Sequence, residues 1–382
     1  MPCPLLIASI MRRDGETGVQ THFRAFLAWL DGRRLEARLA TPYDSPLWQV
    51  YPVFALRRLI DPLHRASSVW WYRHWHRHFL CRALRGLLAD GSPRTIYAQC
   101  PLSADAALRA RTTPAQRVVM VVHFNLSQAD EWAGKGMIRS DGRLFRAIRR
   151  FEADVLPRLD GLVFVSEFMR RELAARIPAV AAVPYRVIPN FLADPGSEAE
   201  STRPASDLIC IGTLEARKNQ RYAIEIVAAA EKLGRSLTLT LVGDGPDRQS
   251  LEALTRAMGV VRNVRFAGFV AQAAALIADH RACLHVAQVE NLPLTLIEAL
   301  SRGRPVFAPA VGGVPEVFAD GVEGCLIPLG QPEDAAKRII QWLDDEAAMA
   351  RAGQAARRRF VDRFEAERVG AALHGFLAEA AS

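Results

Sequence analysis

Leu208-Ile209-Cys210-Ile211-Gly212-Thr213-Leu214-Glu215-Ala216-Arg217-Lys218-Asn219 is a short apolar run that stops on a glycine, passes a basic pair and leads into a helical stretch from about Gln220. Four apolar residues bounded by a turn signal read as a buried strand. A Gly directly after a strand lets a ligand come close to the backbone. Arg217 and Lys218 then stand near a helix start, where guanidinium and ammonium groups could clamp a diphosphate. An exposed basic pair on an ordinary loop is the alternative reading.

The strand–loop–helix grammar of this stretch recurs along the chain. In the first half the strand candidates are Leu5–Ser9, Glu36–Ala40, Thr95–Ala98, Val118–Val122, Gly161–Val165 and Tyr185–Ile188. In the second half they are Leu208–Ile211, Thr238–Val242, Val264–Ala267, Ala282–Val286, Pro305–Ala308 and Cys325–Ile327. Short β-rich runs alternating with helical stretches imply parallel sheets. Ala193 to Ser206, rich in Ser, Glu, Pro and Ala and without hydrophobic period, reads as a linker. The sequence thus predicts an α/β protein of two doubly wound domains facing across a cleft: residues 1–192, a linker at 193–206, residues 207–352, and a terminal helical segment at 353–382. In such sheets ligands bind beyond the carboxyl ends of the strands.

Composition agrees. At 382 residues the chain exceeds one typical core. Half of its residues are apolar and 24% are charged, as in globular proteins. No eighteen-residue apolar run exists, so no transmembrane helix is predicted. Met1 to Met11 is apolar but precedes its arginines, the reverse of a secretory signal, and reads as a buried first strand. Six cysteines without metal-like spacing fit a cytoplasmic protein with reduced thiols. The charge is uneven. Residues 1–200 hold 28 Lys and Arg against 19 Asp and Glu, and residues 201–382 hold 21 against 22, so the excess of +8 lies in the first half. A basic surface can meet nucleic acid, anionic lipid or a phosphorylated substrate.

A second informative stretch is Glu290-Asn291-Leu292-Pro293-Leu294-Thr295-Leu296-Ile297-Glu298. Pro is favoured at the first helical position. Glu290 then sits in the loop before a helix, Glu298 near the end of its second turn, and the N–H groups of Leu294 and Thr295 form an anion cradle. An amphipathic helix with one exposed Glu is the structural alternative. Gly243-Asp244-Gly245-Pro246 is a tight turn, and Gly312-Gly313-Val314-Pro315-Glu316 a flexible loop that either approaches a ligand or turns the chain. In the first half, Gly15-Glu16-Thr17-Gly18-Val19 opens a helix but is not the dinucleotide fingerprint. His123 and Ser166 each follow a strand at its carboxyl end.

These segments, in this order, resemble the GT-B-fold retaining glycosyltransferases grouped as family 4. The matching pieces are Gly212 with Arg217-Lys218-Asn219, the Gly243 turn, Val264-Arg265-Phe266-Ala267-Gly268, Glu290 with Glu298, Gly303-Arg304-Pro305-Val306 and the Gly312 loop. They cover nearly all of the second half. In the first half the match is thinner: Gly18, His123, Ser166 and Val187-Ile188-Pro189-Asn190. The resemblance implies that Lys218 and Arg217 neutralise a diphosphate leaving group to which Leu294 and Thr295 give backbone N–H bonds. It implies that Glu298 binds ribose hydroxyls, that Glu290 holds the donor sugar, and that the backbone near Phe269 and Val270 faces the base. Gly18 lets the first domain's loop close on the phosphates and acceptor, Gly212 lets the nucleotide-sugar approach the backbone, and His123 contacts donor sugar or acceptor near the reacting carbon. The chain departs from the family where Thr17 precedes Gly18, where Asn291 follows Glu290 and at Ala287. None of these touches the clamp.

The predicted activity is retaining transfer of a hexose from a nucleotide-diphosphate sugar, a UDP-sugar first and GDP-mannose second. The acceptor is a glycan or a polyprenyl-linked glycan in bacterial envelope or exopolysaccharide synthesis. No Asp-x-Asp occurs in the chain. Two cations and a helix start can stabilise a departing diphosphate instead, so no metal and no cofactor are predicted. Glu290 and Glu298 share one loop–helix element, unlike the paired carboxylates that flank a glycosidic bond in hydrolases.

Residues 57–85 carry seven Arg, four His, Trp70, Trp71, Tyr72, Trp75 and Phe79 with one acid, Asp61. A basic aromatic helix of this kind either lies in an anionic headgroup layer or packs its aromatic face on the sheet. The first reading places the protein at the inner face of the cytoplasmic membrane, and no other feature supports nucleic acid as a partner. The terminal stretch has helical periodicity through Phe360, Phe364, Val369, Leu373 and Phe376. In the resembled fold it crosses back onto the first domain. Rival readings are a same-fold epimerase, a phosphorylase with Lys-bound pyridoxal phosphate, and a non-catalytic sugar-nucleotide-binding module.

Overall fold

The computed structural model describes residues 5–15, 17–196 and 205–380. Every strand candidate forms a strand. Unit 1 holds the residues up to Asn190 together with those from Ala366 onward, and unit 2 holds Phe191–Glu365.

In unit 1 the strands are β1 (Leu5–Ala8), β2 (Ala37–Ala40), β3 (Arg94–Ala98), β4 (Gln116–Val122), β5 (Gly161–Phe164) and β6 (Tyr185–Val187). They lie in the order β2-β1-β3-β4-β5-β6, all parallel. Val118 to Val122 of β4 are fully buried, as a central strand covered on both faces requires. Helices α1 (Gly18–Gly32), α2 (Leu47–Ile60), α3 (Arg65–Leu88), α4 (Pro101–Ala110), α5 (Gln128–Gly134), α6 (Arg143–Val155) and α7 (Glu167–Arg176) connect them.

In unit 2 the strands are β7 (Ser206–Ile211), β8 (Leu239–Val242), β9 (Val264–Gly268), β10 (His280–Leu284), β11 (Val306–Ala308) and β12 (Gly324–Leu326). They run parallel in the order β12-β11-β10-β7-β8-β9. The connecting helices are α8 (Gln220–Lys232), α9 (Arg248–Ala257), α10 (Leu294–Ser301), α11 (Val314–Val317), α12 (Pro332–Asp344) and α13 (Glu346–Arg363). In each sheet the order turns at its first strand in the chain, so both have the topological switch point at which doubly wound sheets bind ligands.

The last helix, α14 (Ala366–Glu379), belongs to unit 1. Gly370 lies so close to Trp29 that a Cβ there would sit 2.7 Å from the ring. Thr95 Oγ1 donates to the Leu377 carbonyl at 3.2 Å. The crossing segment is shorter than the expected 353–382. Residues 353–363 form the end of α13 and pack in unit 2, where Arg357 Nη1 donates to the Ser301 carbonyl at 3.0 Å and Phe360 and Phe364 are buried. The first half likewise ends at Asn190 rather than 192, because the Leu192 N–H donates to the Phe364 carbonyl at 3.1 Å within unit 2. Residues 197–204 of the expected linker lie outside the described residues.

Residues 57–85 are divided between α2 and α3, and most of the aromatic side packs inward. Trp71 Nε1 donates to the Val53 carbonyl at 2.8 Å, and Phe79, Arg73 and His76 are buried. A cluster of exposed large apolar residues lies on and just after α2: Leu47, Trp48, Tyr51, Leu56, Leu59 and Leu63, joined by Trp70. No helix among the described residues is long and apolar enough to cross a membrane.

Candidate active site

The loop after β7 is shaped by its neighbours. Its Gly212 N–H donates to the Val242 carbonyl at 2.9 Å. A Cβ at Gly243 would fall 2.1 Å from the Gly212 carbonyl oxygen, and one at Gly245 2.4 Å from that of Leu214. The Gly243-Asp244-Gly245-Pro246 turn is therefore a brace pressed on this loop. Residues 216–218 make one 3₁₀ turn, and Asn219, at φ 56°, reverses the chain into α8. Asn219 Nδ2 donates to the Val286 carbonyl at 3.2 Å, and the Gln288 N–H to the Arg217 carbonyl at 3.1 Å. These bonds hold the Arg217-Lys218 loop against the loop that follows β10.

The two loops meet at Glu290, a buried carboxylate. Lys218 Nζ lies 2.5 Å from Glu290 Oε1, Arg217 Nη1 3.4 Å and His285 Nε2 3.4 Å. Burial alone would raise the Glu290 pKa, but Lys218, His285 and Arg217 together hold it well below the usual carboxylate range. Burial lowers the pKa of His285, against the pull of Glu290. Arg217 is also held by Glu215, at 3.0 Å. The Gly312 loop turns the chain over Glu290. A Cβ at Gly312, where φ is 55°, would fall 1.9 Å from the Glu290 carbonyl oxygen, and the Gly313 N–H donates to that same oxygen at 3.0 Å.

Four residues after Glu290 the chain enters α10. Pro293 takes the position before the first helical residue rather than that residue itself, because its ψ of 119° is extended. Among the described residues, the N–H groups of Leu294 and Thr295 donate to no backbone or side-chain acceptor, which leaves them directed out of the helix start. Glu298 is half-buried one turn further on. Burial raises its pKa, opposed by Arg302, and its carboxylate accepts no hydrogen bond among the described residues. Val270 is half-buried just past β9, beside exposed Phe269.

Gly18 and His123 belong to unit 1, at the carboxyl edge of its own sheet. Gly18 is the first residue of α1, behind Thr17, whose side chain and that of Gln20 bond each other's backbone N–H groups at 3.4 and 3.2 Å. Gln20 Nε2 also donates to the carbonyls of Arg12 and Asp14. His123 Nε2 is 3.3 Å from Gln99 Oε1, and its ring meets the His22 ring edge-on at 4.6 Å between centroids. His22 Nε2 lies 2.9 Å from the Tyr97 hydroxyl. Burial holds the His123 pKa well below its ordinary value, with His22 adding to the effect, and burial lowers that of His22 to about 4. Both rings are neutral near pH 7. Ser166, at the equivalent strand end, caps α7 by accepting from the Met169 N–H at 3.1 Å.

The structure thus brings Arg217, Lys218 and Glu290 into contact and sets Leu294, Thr295 and Glu298 on the helix that follows. Sequence reasoning missed Glu215, His285, His22 and Gln99. Gln99 follows β3 as His123 follows β4, so the strand-end rule could have found it, as it could His285 after β10. His22 lies inside a helix, and no local signal distinguishes it.

Comparison with known proteins adds a third line. A family model described as glycosyl transferases group 1 matches residues 199–359, and one described as glycosyl transferase 4-like domain matches residues 17–190. The chain is 26% identical over 391 residues to a GDP-mannose-dependent alpha-(1-6)-phosphatidylinositol monomannoside mannosyltransferase of Mycobacterium tuberculosis, covering 94% of each. It is 31% identical over 166 residues to the N-acetyl-alpha-D-glucosaminyl L-malate synthase of Bacillus anthracis, spanning 43% of each chain. Its fold matches the crystal structure of Anabaena HepE in complex with UDP and glucose, with a TM-score of 0.67 at 18% identity over 99% of this chain and 100% of that one.

Proposed function

The chain belongs to the glycosyltransferases of GT-B fold similar to family 4, and we propose that it moves a hexose, with retention and without a metal, from a nucleotide-diphosphate sugar to a glycan or lipid-linked acceptor in bacterial envelope or exopolysaccharide synthesis. One observation carries this reading: two cations and one carboxylate converge beside a helix start whose first N–H groups are unused.

In this reading the leaving diphosphate lies between Lys218, Arg217 and the N–H groups of Leu294 and Thr295. An ammonium has three donors, and Glu290 occupies one of those on Lys218. Fixed positive groups of this kind stabilise charge as the C1–O bond to phosphate breaks, at no cost of reorganisation. The acceptor hydroxyl attacks C1 from the side the diphosphate leaves. Its proton passes to the departing phosphate oxygen, and the charge that builds on C1 is oxocarbenium-like. Glu290, kept ionised by its cations, holds sugar hydroxyls. Glu298 holds the ribose, and backbone near Val270 meets the base. His123, neutral, acts as a hydrogen-bonding group near the reacting carbon rather than as a cation. A UDP-sugar is the preferred donor and GDP-mannose the alternative, each supported by a relative or neighbour named with that nucleotide.

The acceptor reading extends to peripheral contact with an anionic membrane. Its support is the apolar surface of Trp48, Leu56, Leu59 and Leu63, next to Arg57 and Arg58 of α2. Such a surface suits the headgroup layer, where apolar side chains enter and Arg pairs with anionic lipid.

The deciding experiment supplies purified protein with UDP- and GDP-sugars and a polyprenyl-linked acceptor in excess EDTA, and reads the anomeric configuration of the product by NMR. Retained configuration with EDTA-resistant turnover is expected. Inversion, or complete loss of turnover in EDTA, overturns the retaining or the metal-free part respectively.

A further inference from the structure

Helix α3 is 24 residues long and contains five Arg, four of them (Arg73, Arg77, Arg82 and Arg85) in its C-terminal two-thirds, and no acid. Every counter-charge must come from outside the helix. Buried Arg73 lies in the field of Glu152. Arg77 pairs with buried Asp105 of α4 at 3.3 Å, and Arg109 takes the same oxygen at 2.6 Å. Arg82 bonds only the neutral amide of Gln49, and Arg85 has no ion-pair partner among the described residues. Arg77, His78, Cys81, Arg82, Arg85 and Arg109 line one depression of about 420 Å³. Four guanidinium groups thus line a space to which no carboxylate contributes, and the buried Asp105 behind it serves two of them. Like charges three or four residues apart on a helix repel, so the cluster costs stability unless an anion fills it. His78 registers this field. Burial lowers its pKa first, and Arg82, Arg85 and Arg77 lower it further.

We propose that this depression is a binding site for a phosphate-bearing ligand, separate from the candidate active site. Arg109 is in the last turn of α4, at the far end of that helix from the carboxyl end of β3. Planar guanidinium forks match phosphate oxygens two at a time. Arg82, Arg85 and the free edges of Arg77 and Arg109 offer that geometry from two helices, with Asp105 fixing the last two in place. The ligand is a phosphomonoester or diphosphate, supplied either by a lipid headgroup or by a soluble molecule.

The test titrates inorganic pyrophosphate calorimetrically into wild-type protein, Arg82→Ser/Arg85→Ser and Lys218→Ala. Two classes of site are expected in the wild type. The double variant weakens one at least tenfold while keeping the other, and Lys218→Ala does the reverse. Because the double variant removes repulsion between exposed groups, its Tm without ligand is expected to equal or exceed that of the wild type. Phosphatidylcholine vesicles carrying phosphatidic acid then separate the sources. Binding to them that pyrophosphate reverses and the double variant lacks assigns a lipid headgroup. Pyrophosphate binding without it assigns a soluble ligand. A double-variant titration superimposable on that of the wild type overturns the proposal.

Discussion

Lys218 Nζ and Glu290 Oε1, 72 residues apart in sequence, lie 2.5 Å from each other and join the loop after β7 to the loop after β10. The pair is largely buried, so removing one member leaves the other charge without its partner. Breaking such a pair costs about 3–5 kcal/mol where burial is complete. Lys218 is 19% exposed, and solvent screening reduces that to about 2 kcal/mol. Lys218→Ala is therefore expected to lose turnover by orders of magnitude and also to lower Tm. Lys218→Ala/Glu290→Gln should recover part of the Tm and none of the turnover. Thermal melts beside initial rates check this, and wild-type rates in the single variant would remove the clamp.

Gly312→Ala should be as harmful as a change at Glu290 itself. Its Cβ would collide with the Glu290 carbonyl oxygen at 1.9 Å, from a backbone at φ 55°. The loop must open to admit it, at a cost of about 1–3 kcal/mol for strain at such a position, and Glu290 moves with it. A drop in both Tm and kcat is expected, while Gly321→Ala, with open space around it, should lower Tm alone.

Glu298→Gln keeps the shape of a half-buried side chain whose carboxylate has a raised pKa and no hydrogen-bond donor among the described residues. The expected outcome is no loss of Tm and a donor KM raised about 10-fold, near the 1.5–3 kcal/mol of a hydrogen bond to a charged group. Steady-state kinetics with varied nucleotide-sugar checks it, and an unchanged KM would take Glu298 out of donor binding.

Acid should destabilise unit 1 through His22. Its folded pKa of about 4 lies below the ordinary 6.5. Above pH 6.5 both folded and unfolded forms are neutral and stability is unaffected. As pH falls from 6.5 towards 4 the unfolded chain takes up a proton that the folded chain refuses, and stability is lost. At 1.36 kcal/mol per pKa unit the loss approaches about 3 kcal/mol. Urea melts between pH 7 and 4 should show it, with a shallower slope in His22→Phe.

Trp48→Ser/Leu59→Ser removes two exposed apolar side chains from the α2 surface. Co-sedimentation with phosphatidylglycerol vesicles should fall several-fold while activity on a soluble acceptor is kept. Equal sedimentation would remove this surface from membrane contact.

Most strands were legible because they are short apolar runs closed by Gly, Pro or a polar residue, which is all a buried parallel strand needs. The edge-side strands β2, β6 and β9 carry exposed Arg38, Arg186 and Arg265 and were legible from their β-rich neighbours alone. Lys218, Arg217, Glu290 and Glu298 were legible as residues at strand ends and a helix start. Their mutual arrangement was not, since nothing local tells Lys218 that Glu290 will be its partner. His285 and Glu215 escaped for the same reason. Composition left the 57–85 stretch with two readings, interfacial or packed inward, because only tertiary contacts decide which side chains are covered: Trp71 bonds the Val53 carbonyl of α2 and Phe79 is buried, while Trp70 stays exposed. The terminal segment was read as one element because Phe360, Phe364, Val369, Leu373 and Phe376 keep one helical period through residue 365, where the chain changes unit.

That change of unit has a consequence for synthesis. Unit 2 is continuous in sequence from Phe191 to Glu365, whereas unit 1 includes α14. A ribosome therefore releases every residue of unit 2 before it supplies the helix that covers Trp29 and reaches Thr95. The half made first is finished last. Until Gly370 and Leu377 emerge, the nascent first half lacks the cover of Trp29 and the acceptor for Thr95.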